Sequence, residues 1–197
     1  MSVAAIVVVG LIGVSIFFFM SLYNKLVTKK NRYENAFSQI DVQLKRRHDL
    51  IPNLVETAQG YMDHERETLE AVIQARNQAQ QAEQKASQDP SDSGLMKELM
   101  NAESMLSGAL GQLQVTVEDY PELKADEQMG QLMEELSSTE NKIAFARQAF
   151  NDSVTDFNIT RERFPNIMVA NMFGFQEATL FELEEEEARE APDVAFG

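Results

Sequence analysis

The chain contains no cysteine, and this absence removes several kinds of chemistry. Without thiols there is no disulfide, no thiolate-bound metal and no cysteine nucleophile, although the redox compartment stays open. Only two histidines are present, which argues against a transition-metal site. Glycine and proline are also scarce, with 9 and 5 among 197 residues. The sequence therefore permits long helices and disfavours a fold of short strands and turns.

Basic residues are few as well. The chain has 17 Lys and Arg against 32 Asp and Glu, a net charge of −15. Proteins that bind nucleic acid need a concentrated basic surface, so we expect no nucleic-acid partner. The charge is uneven, because residues 87–197 carry 23 acidic and 7 basic side chains while residues 1–86 carry 9 and 10. Hydrophobic content of 44% is that of a folded chain.

One uncharged run, Val3–Leu22, covers 20 residues, and the first charged side chain after it is Lys25. At 1.5 Å per residue a helix of this length is about 30 Å long, the thickness of a hydrocarbon core. The run therefore predicts a transmembrane helix. A cleaved signal peptide is the alternative, but no basic segment precedes the run and no small-x-small site follows Leu22. Both features favour an uncleaved anchor.

Four cations follow the run directly: Lys25, Lys29, Lys30 and Arg32. By the positive-inside rule, they predict a single-pass protein of the cell (inner) membrane with its N-terminus outside and its C-terminal domain in the cytoplasm. The same side chains are predicted to contact anionic lipid headgroups, each contact being worth about 1 kcal/mol near the surface.

Apolar residues at helical spacing continue from Leu22 to Ile73 on one side of a predicted first helix. Pro52 lies inside this stripe, and a proline in a helix interior removes a hydrogen bond and clashes with the preceding turn. Two interpretations follow: one long helix kinked near Pro52, or two antiparallel helices that turn at Asp49–Pro52. The apolar phase carries across the proline, which favours the kink. After Arg76 the helix is expected to give way to a polar, solvated segment, residues 77–86.

Two further helices are predicted. Residues 87–94 form a loop in which Asp92 or Ser91 can cap the second helix, whose apolar seam runs over residues 95–113. A third seam spans residues 129–164 and stops before Pro165. The predicted fold is all-α, with one transmembrane helix running into an antiparallel bundle of three to four long helices. The predicted divisions are an anchor (1–24), a helical bundle domain (25–165), an apolar C-terminal segment (166–181) and an acidic tail (182–197).

Polar residues on apolar faces are the candidate site. They are Arg47, Glu65 and Arg76 on the predicted first helix, and Glu140, Arg147, Asn151 and Asn158 on the third. Isolated buried charges are costly, so these groups are predicted to meet across helices in a structural polar network. A ligand or catalytic site made of the same groups, or simple solvent exposure, are the alternatives.

No catalytic, metal or cofactor motif is evident in the sequence. A di-iron bundle needs Glu-x-x-His on two helices, but the residues three before His48 and His64 are Lys45 and Tyr61. We therefore predict no catalytic residue, no metal site and no cofactor, with the histidines as helix-contact or surface residues.

Several segments resemble the LemA family of bacterial membrane proteins. They are Tyr23–Val27, Glu34–Val55, Tyr120–Lys124, Glu140–Arg147 with Asn151 and Asn158, and the pairs Phe164-Pro165 and Gly174-Phe175. The resemblance implies an N-terminal anchor followed by an α-helical bundle. It supplies no catalytic residue or cofactor.

The expected function is a non-enzymatic, membrane-anchored scaffold that self-associates at the bilayer surface, in membrane organisation or remodelling. Its expected partners are the lipid bilayer and further copies of the chain. One alternative is a signalling or adaptor protein that recruits a soluble partner through the acidic tail. Another is an enzyme that uses Arg47, Glu65, Glu140 and Arg147. The apolar segment Ile167–Phe175 can fold back on the bundle, lie in the membrane interface or dock into a neighbouring subunit.

Overall fold

The computed structural model describes residues 3–62 and 64–182, which contain six helices and no strand. Four helices are long and two are short. Their bounds are α1 Val3–Gln59, α2 Arg66–Ala86, α3 Ser93–Val117, α4 Pro121–Lys124, α5 Glu127–Glu162 and α6 Asn166–Phe173. This confirms the predicted all-α class.

Helix α1 runs through Pro52 without a break, so the predicted alternative of a turn at Asp49–Pro52 is wrong. Proline has no N–H, and the carbonyl of His48, four residues earlier, therefore loses its donor within the helix. The guanidinium of Arg76 on α2 supplies a donor instead, with Nε 3.0 Å from the His48 carbonyl oxygen. A neighbouring helix thus satisfies the carbonyl that the proline leaves free.

The predicted extent of the first helix needs two corrections. The chain turns after Gln59, and the apolar residues Leu69 and Val72 belong to the separate helix α2. Residues 77–86, expected to be solvated, are the second half of α2. Alanines at four- and three-residue spacing, together with one glutamate, face the core there: Ala75, Ala79, Ala82, Glu83 and Ala86.

The long helices α1, α2, α3 and α5 form an antiparallel bundle, in which α1 packs along α5 and α2 along α3. Aromatic rings fill the α1–α5 interface. Tyr33 lies 5.2 Å from Phe157 and 6.3 Å from Phe150 between ring centroids, and Phe37 lies 5.8 Å from Phe150. From Tyr23 to Gln59, α1 rises about 55 Å above its apolar start.

Asp92 caps α3, because its carboxylate accepts hydrogen bonds from the N–H groups of Gly94 and Leu95 at 2.7 and 3.0 Å. This confirms one of the two predicted caps. Gly174 ends α6 in the left-handed region with φ 73°, which glycine adopts without the steric cost of a side chain. Beyond it the chain continues in an irregular segment to Glu182.

Candidate functional site

The apolar start of α1 makes no contribution to the core. Its large side chains from Val3 to Met20 are 44–79% exposed, whereas Leu26, one turn after Leu22, is fully buried. In the described chain, α1 is the one helix long and apolar enough to cross a membrane. A core helix would bury such residues, so α1 carries a candidate N-terminal membrane helix.

The four juxtamembrane cations have different surroundings. Lys29 and Arg32 both reach Asp156 of α5, the second at 3.9 Å, and Lys30 lies 3.5 Å from Glu34 one turn on. Lys25 is exposed and has no acidic partner within 4 Å in the part of the chain that the structure describes. Since surface pairs of this kind are weak, all four remain candidates for headgroup contact.

A buried ionic cluster joins α1 to α3. Arg47 and His48 are 2% and 1% exposed, and both contact Glu103, which is 1% exposed. The Glu103 carboxylate lies 2.8 Å from His48 Nε2 and 3.4 Å from the Arg47 guanidinium. Arg47 also donates to the Ser107 hydroxyl at 2.9 Å. Glu103 therefore balances one buried cation and orients the adjacent imidazole.

The seven predicted network residues lie in separate groups. Arg47 approaches Glu140 of α5 at 3.9 Å, but Glu140 is largely exposed. Glu65 lies in the turn before α2, where its carboxylate accepts a long 3.5 Å hydrogen bond from the Tyr120 hydroxyl. Arg76 donates a hydrogen bond to the His48 carbonyl. The remaining members, Arg147, Asn151 and Asn158, contact the C-terminal segment.

A second charged group joins α1 to α2. Lys45 lies 2.6 Å from Asp41 and 3.5 Å from Glu83, whose side chain is 1% exposed. Burial and, next, the adjacent Asp41 carboxylate raise the pKa of Glu83 to about 7, against a smaller lowering by Lys45. The hydrogen bond with Asp41 raises the pKa of Lys45. Glu83 therefore holds its proton to a higher pH than an exposed glutamate does.

Asn151 and Asn158 bind the C-terminal segment through both ends of their amides. Asn158 Nδ2 donates to the Ala178 carbonyl and its Oδ1 accepts from the Ala178 N–H, both at 2.9 Å. Asn151 makes the same pair with Phe181 at 3.1 and 2.8 Å. Seven residues of helix and three of extended chain each span about 10 Å. The asparagine spacing thus matches the segment, which runs antiparallel to α5.

Two arginines complete this attachment. Arg161 Nε donates to the Phe175 carbonyl at 2.9 Å, and the Arg147 guanidinium lies 5.8 Å from the centroid of the Phe181 ring. Phe181 itself is fully buried. The strip predicted on the third helix is therefore in large part the docking surface of residues 175–182. The acidic tail beyond Glu182 lies outside the described residues.

Sequence reasoning missed Glu103 and Glu83. Both lie on the apolar stripes of their helices: Glu103 between Leu99 and Leu106, and Glu83 beside Ala79 and Ala86. The same search for charged residues on apolar faces would have identified each of them.

Side chains that could ligate a metal are dispersed in the described part of the chain. Among residues 3–62 and 64–182, no three His, Asp or Glu side chains come together as metal ligands. The arginine and glutamate of the buried cluster are covered by helices, and His64 is exposed at the opposite end of α1 from the anchor. The contacts join helices to one another.

Comparison with known proteins places the chain among membrane-associated helical proteins. The LemA family matches residues 36–196. Protein LemA of Metamycoplasma hominis is 28% identical over 88% of this chain and 75% of its own length. Magnetosome protein MamQ of Magnetospirillum gryphiswaldense is 27% identical over 81% of this chain and 64% of its own, and MamQ 2 of Paramagnetospirillum magneticum is 27% identical over 91% and 72%.

The family match begins one residue before Phe37 and covers the bundle from there on, with the asparagine pair and the C-terminal segment. It thus contains Arg47, Glu103 and Glu140, which link α1 to α3 and α5. The family is not known as an enzyme family. This chain belongs to the LemA family.

Proposed function

We propose that this protein is a non-enzymatic scaffold, anchored in the cell membrane by α1, which self-assembles at the bilayer surface. The observation that carries the proposal is the continuity of α1. The exposed apolar segment and the bundle helix are one helix of 57 residues, with no hinge between them. A bundle held in this way keeps a fixed angle and height on the membrane, which ordered assembly requires.

The internal contacts support rigidity. Leu22 packs against the core and Leu26 lies within it, so the core contacts of α1 begin immediately beyond the apolar segment. Arg47 and His48 then tie α1 to Glu103 of α3. Contacts of this kind fix the relative position of helices, whereas exposed ion pairs contribute little.

An exposed aromatic side chain offers a contact between copies. Phe145 on α5 is 75% exposed. Among the described phenylalanines of the bundle that lie away from its membrane-proximal end, Phe145 has the largest exposed fraction. We expect Phe145→Asp to reduce the mass of the assembly in detergent without altering helix content. Gln148→Asp, an exposed neighbour on the same helix, is the matched control for added charge.

The role of α1 continuity is tested by inserting seven residues between Ser21 and Leu22. A flexible glycine-serine heptad uncouples the bundle from the anchor. A helical heptad of alanine, glutamate and lysine keeps the coupling. Seven residues complete two helical turns to within about 20°, so the bundle keeps nearly the same orientation about the axis of α1. We expect regular assemblies on membranes with the helical insert and none with the flexible one. Regular assemblies from both inserts would contradict the proposal.

The proposed orientation places the bundle in the cytoplasm, as the basic cluster from Lys25 to Arg32 favours. Because the chain lacks cysteine, a single Gln148→Cys variant gives an unambiguous label position. An impermeant maleimide should label it only after cells are broken. Labelling of intact cells would reverse the orientation.

The adaptor alternative draws on the acidic tail. Asn151 and Asn158 hold the segment that leads into it against α5, so the tail starts from a fixed point on the bundle. Deleting residues 183–197 tests this alternative. Loss of a co-purifying soluble partner with unchanged assembly mass would favour the adaptor over the scaffold.

A further inference from the structure

The short helix α6 lies at the level where α1 leaves the predicted membrane span. The Tyr23 ring, one residue beyond the span, packs 4.8 Å from the Phe173 ring and 5.6 Å from the Phe175 ring between centroids. Arg161, close to the end of α5, donates to the Phe175 carbonyl. The start of α6 lies at this same end of α5, because Asn166 Nδ2 donates to the Thr160 carbonyl at 2.8 Å. Both ends of α6 are therefore held near the level of Tyr23.

That position makes α6 cross the direction of α1. Helix α5 runs towards the membrane, and its Asp156 pairs with Lys29, two turns above the span. The last turn of α5 therefore ends close to the membrane surface, and a link of three residues separates Glu162, which ends α5, from Asn166, which begins α6. An eight-residue helix is about 12 Å long. With both ends at one level, α6 lies roughly in the plane of the bilayer surface.

The outer face of α6 is largely apolar and uncovered. Val169 and Ala170 pack into the bundle, but on the opposite side Ile167, Met168 and Met172 are 38%, 54% and 71% exposed, with Asn171 as the polar residue among them. Phe164, in the link just before α6, is 82% exposed. No charged side chain occurs between Arg163 and Glu177, in a chain that is 25% charged. Contiguous apolar surface of this kind marks a contact with a membrane or a partner.

We infer that the outer face of α6 inserts into the membrane interface and forms a second contact with lipid beside the α1 anchor. Three features select lipid as the occupant. The face adjoins the exposed apolar start of α1, it lies level with Tyr23, and the exposed cation Lys25 lies about 3 Å further along α1 than Tyr23. Apolar side chains with a cation just above them are typical of a helix at the membrane interface.

This contact restrains the bundle. The continuous helix α1 sets the height of the bundle and its angle to the anchor, but it leaves the bundle free to rotate about the helix axis. A second membrane contact displaced from that axis removes much of the freedom. The inference rests on α1 spanning the bilayer, as proposed above, and is independent of self-assembly.

The chain has no tryptophan, so single tryptophans report cleanly on their surroundings. Phe164→Trp and Met172→Trp probe the outer face of α6. Met105→Trp is the matched control, because Met105 is an exposed methionine, 58%, at the middle of α3. Phe17→Trp, within the span, tests the anchor. Each full-length variant is reconstituted in anionic vesicles with spin-labelled lipid, the label lying either near the headgroup or deeper in the acyl chain.

We expect the headgroup-proximal label to remove most of the emission of Phe164→Trp and Met172→Trp and to spare Met105→Trp. Blue-shifted emission at Phe164→Trp without lipid quenching would mean that another copy of the chain covers α6. Emission as in water would mean that the face is free. Either result overturns the inference while quenching of Phe17→Trp preserves the anchor. If Phe17→Trp also escapes quenching, the proposed span fails as well.

Discussion

The pairing of Pro52 with Arg76 gives a quantitative test of how α1 survives a proline. Pro52 leaves the His48 carbonyl without its helical donor, and the Arg76 guanidinium bonds to that oxygen at 3.0 Å. A hydrogen bond from a charged donor contributes about 1.5–3 kcal/mol, and a buried acceptor left unpaired costs about as much. We expect Arg76→Met to lower the free energy of unfolding by about 2 kcal/mol.

The proline supplies the second arm of a double-mutant cycle. Pro52→Ala restores a backbone N–H that can donate to His48, so the arginine becomes less necessary. In that background we expect Arg76→Met to cost about 0.5–1 kcal/mol, which leaves a coupling of about 1–1.5 kcal/mol. Urea unfolding of the four proteins in detergent, followed by circular dichroism, measures the cycle.

Arg66→Met is the control, because this exposed arginine lies on the same helix. It should cost little in either background. An equal cost of Arg76→Met with Pro52 and with alanine would refute the reasoning, since the arginine would then act through something other than the carbonyl that the proline frees.

Three further predictions concern the other polar contacts. Glu103→Gln leaves Arg47 buried without its carboxylate and should lower the free energy of unfolding by about 3–5 kcal/mol in the same urea assay. Folding raises the pKa of Glu83 to about 7, so the protonated side chain favours the folded state. This contribution to stability is complete below the pKa of the unfolded chain and is lost as the pH rises to about 7. Glu83→Gln should flatten this pH dependence in thermal melts. Asn151→Leu removes both hydrogen bonds to Phe181 and should speed amide exchange there by about tenfold or more, which mass spectrometry detects.

Each of these has a control of the same residue type. Glu98→Gln removes the exposed pair with Lys85, and although that contact is short at 2.6 Å its loss should cost only about 0.2–1 kcal/mol. Glu70→Gln replaces an exposed carboxyl on α2, and Asn141→Leu an exposed amide on α5. Comparable effects from test and control variants would show that side-chain type, not burial and contact, produces the changes.

The sequence predicts the helices well where local patterns determine them, whether by apolar spacing, a capping residue or a proline. The anchor, the cap at Asp92 and the end of α5 before Pro165 all follow from local patterns. The turn after Gln59 is different, because α1 and α2 face one core and their apolar residues happen to stay in phase across the turn. Gly60 was the local signal of an end.

The polar residues were less predictable because their partners are distant in sequence. The role of Arg76 becomes clear only when α2 is seen to lie beside Pro52, and residue spacing in the sequence does not predict that contact. Asn151 and Asn158 share one face of α5, which indicates that this face makes polar contacts. Their partner is the irregular segment after α6, and its sequence has no helical or strand spacing from which its position could be predicted. Side-chain amides bind a backbone as readily as another side chain, and the sequence does not distinguish these cases.

The central claim is that the anchored bundle assembles with copies of itself. Light scattering of the full-length protein, solubilised in mild detergent and separated by size, measures the mass of the protein component directly. The scaffold account predicts a particle of several chains whose mass falls with Phe145→Asp and not with Gln148→Asp. A strict monomer of 22.2 kDa at high protein concentration would contradict it.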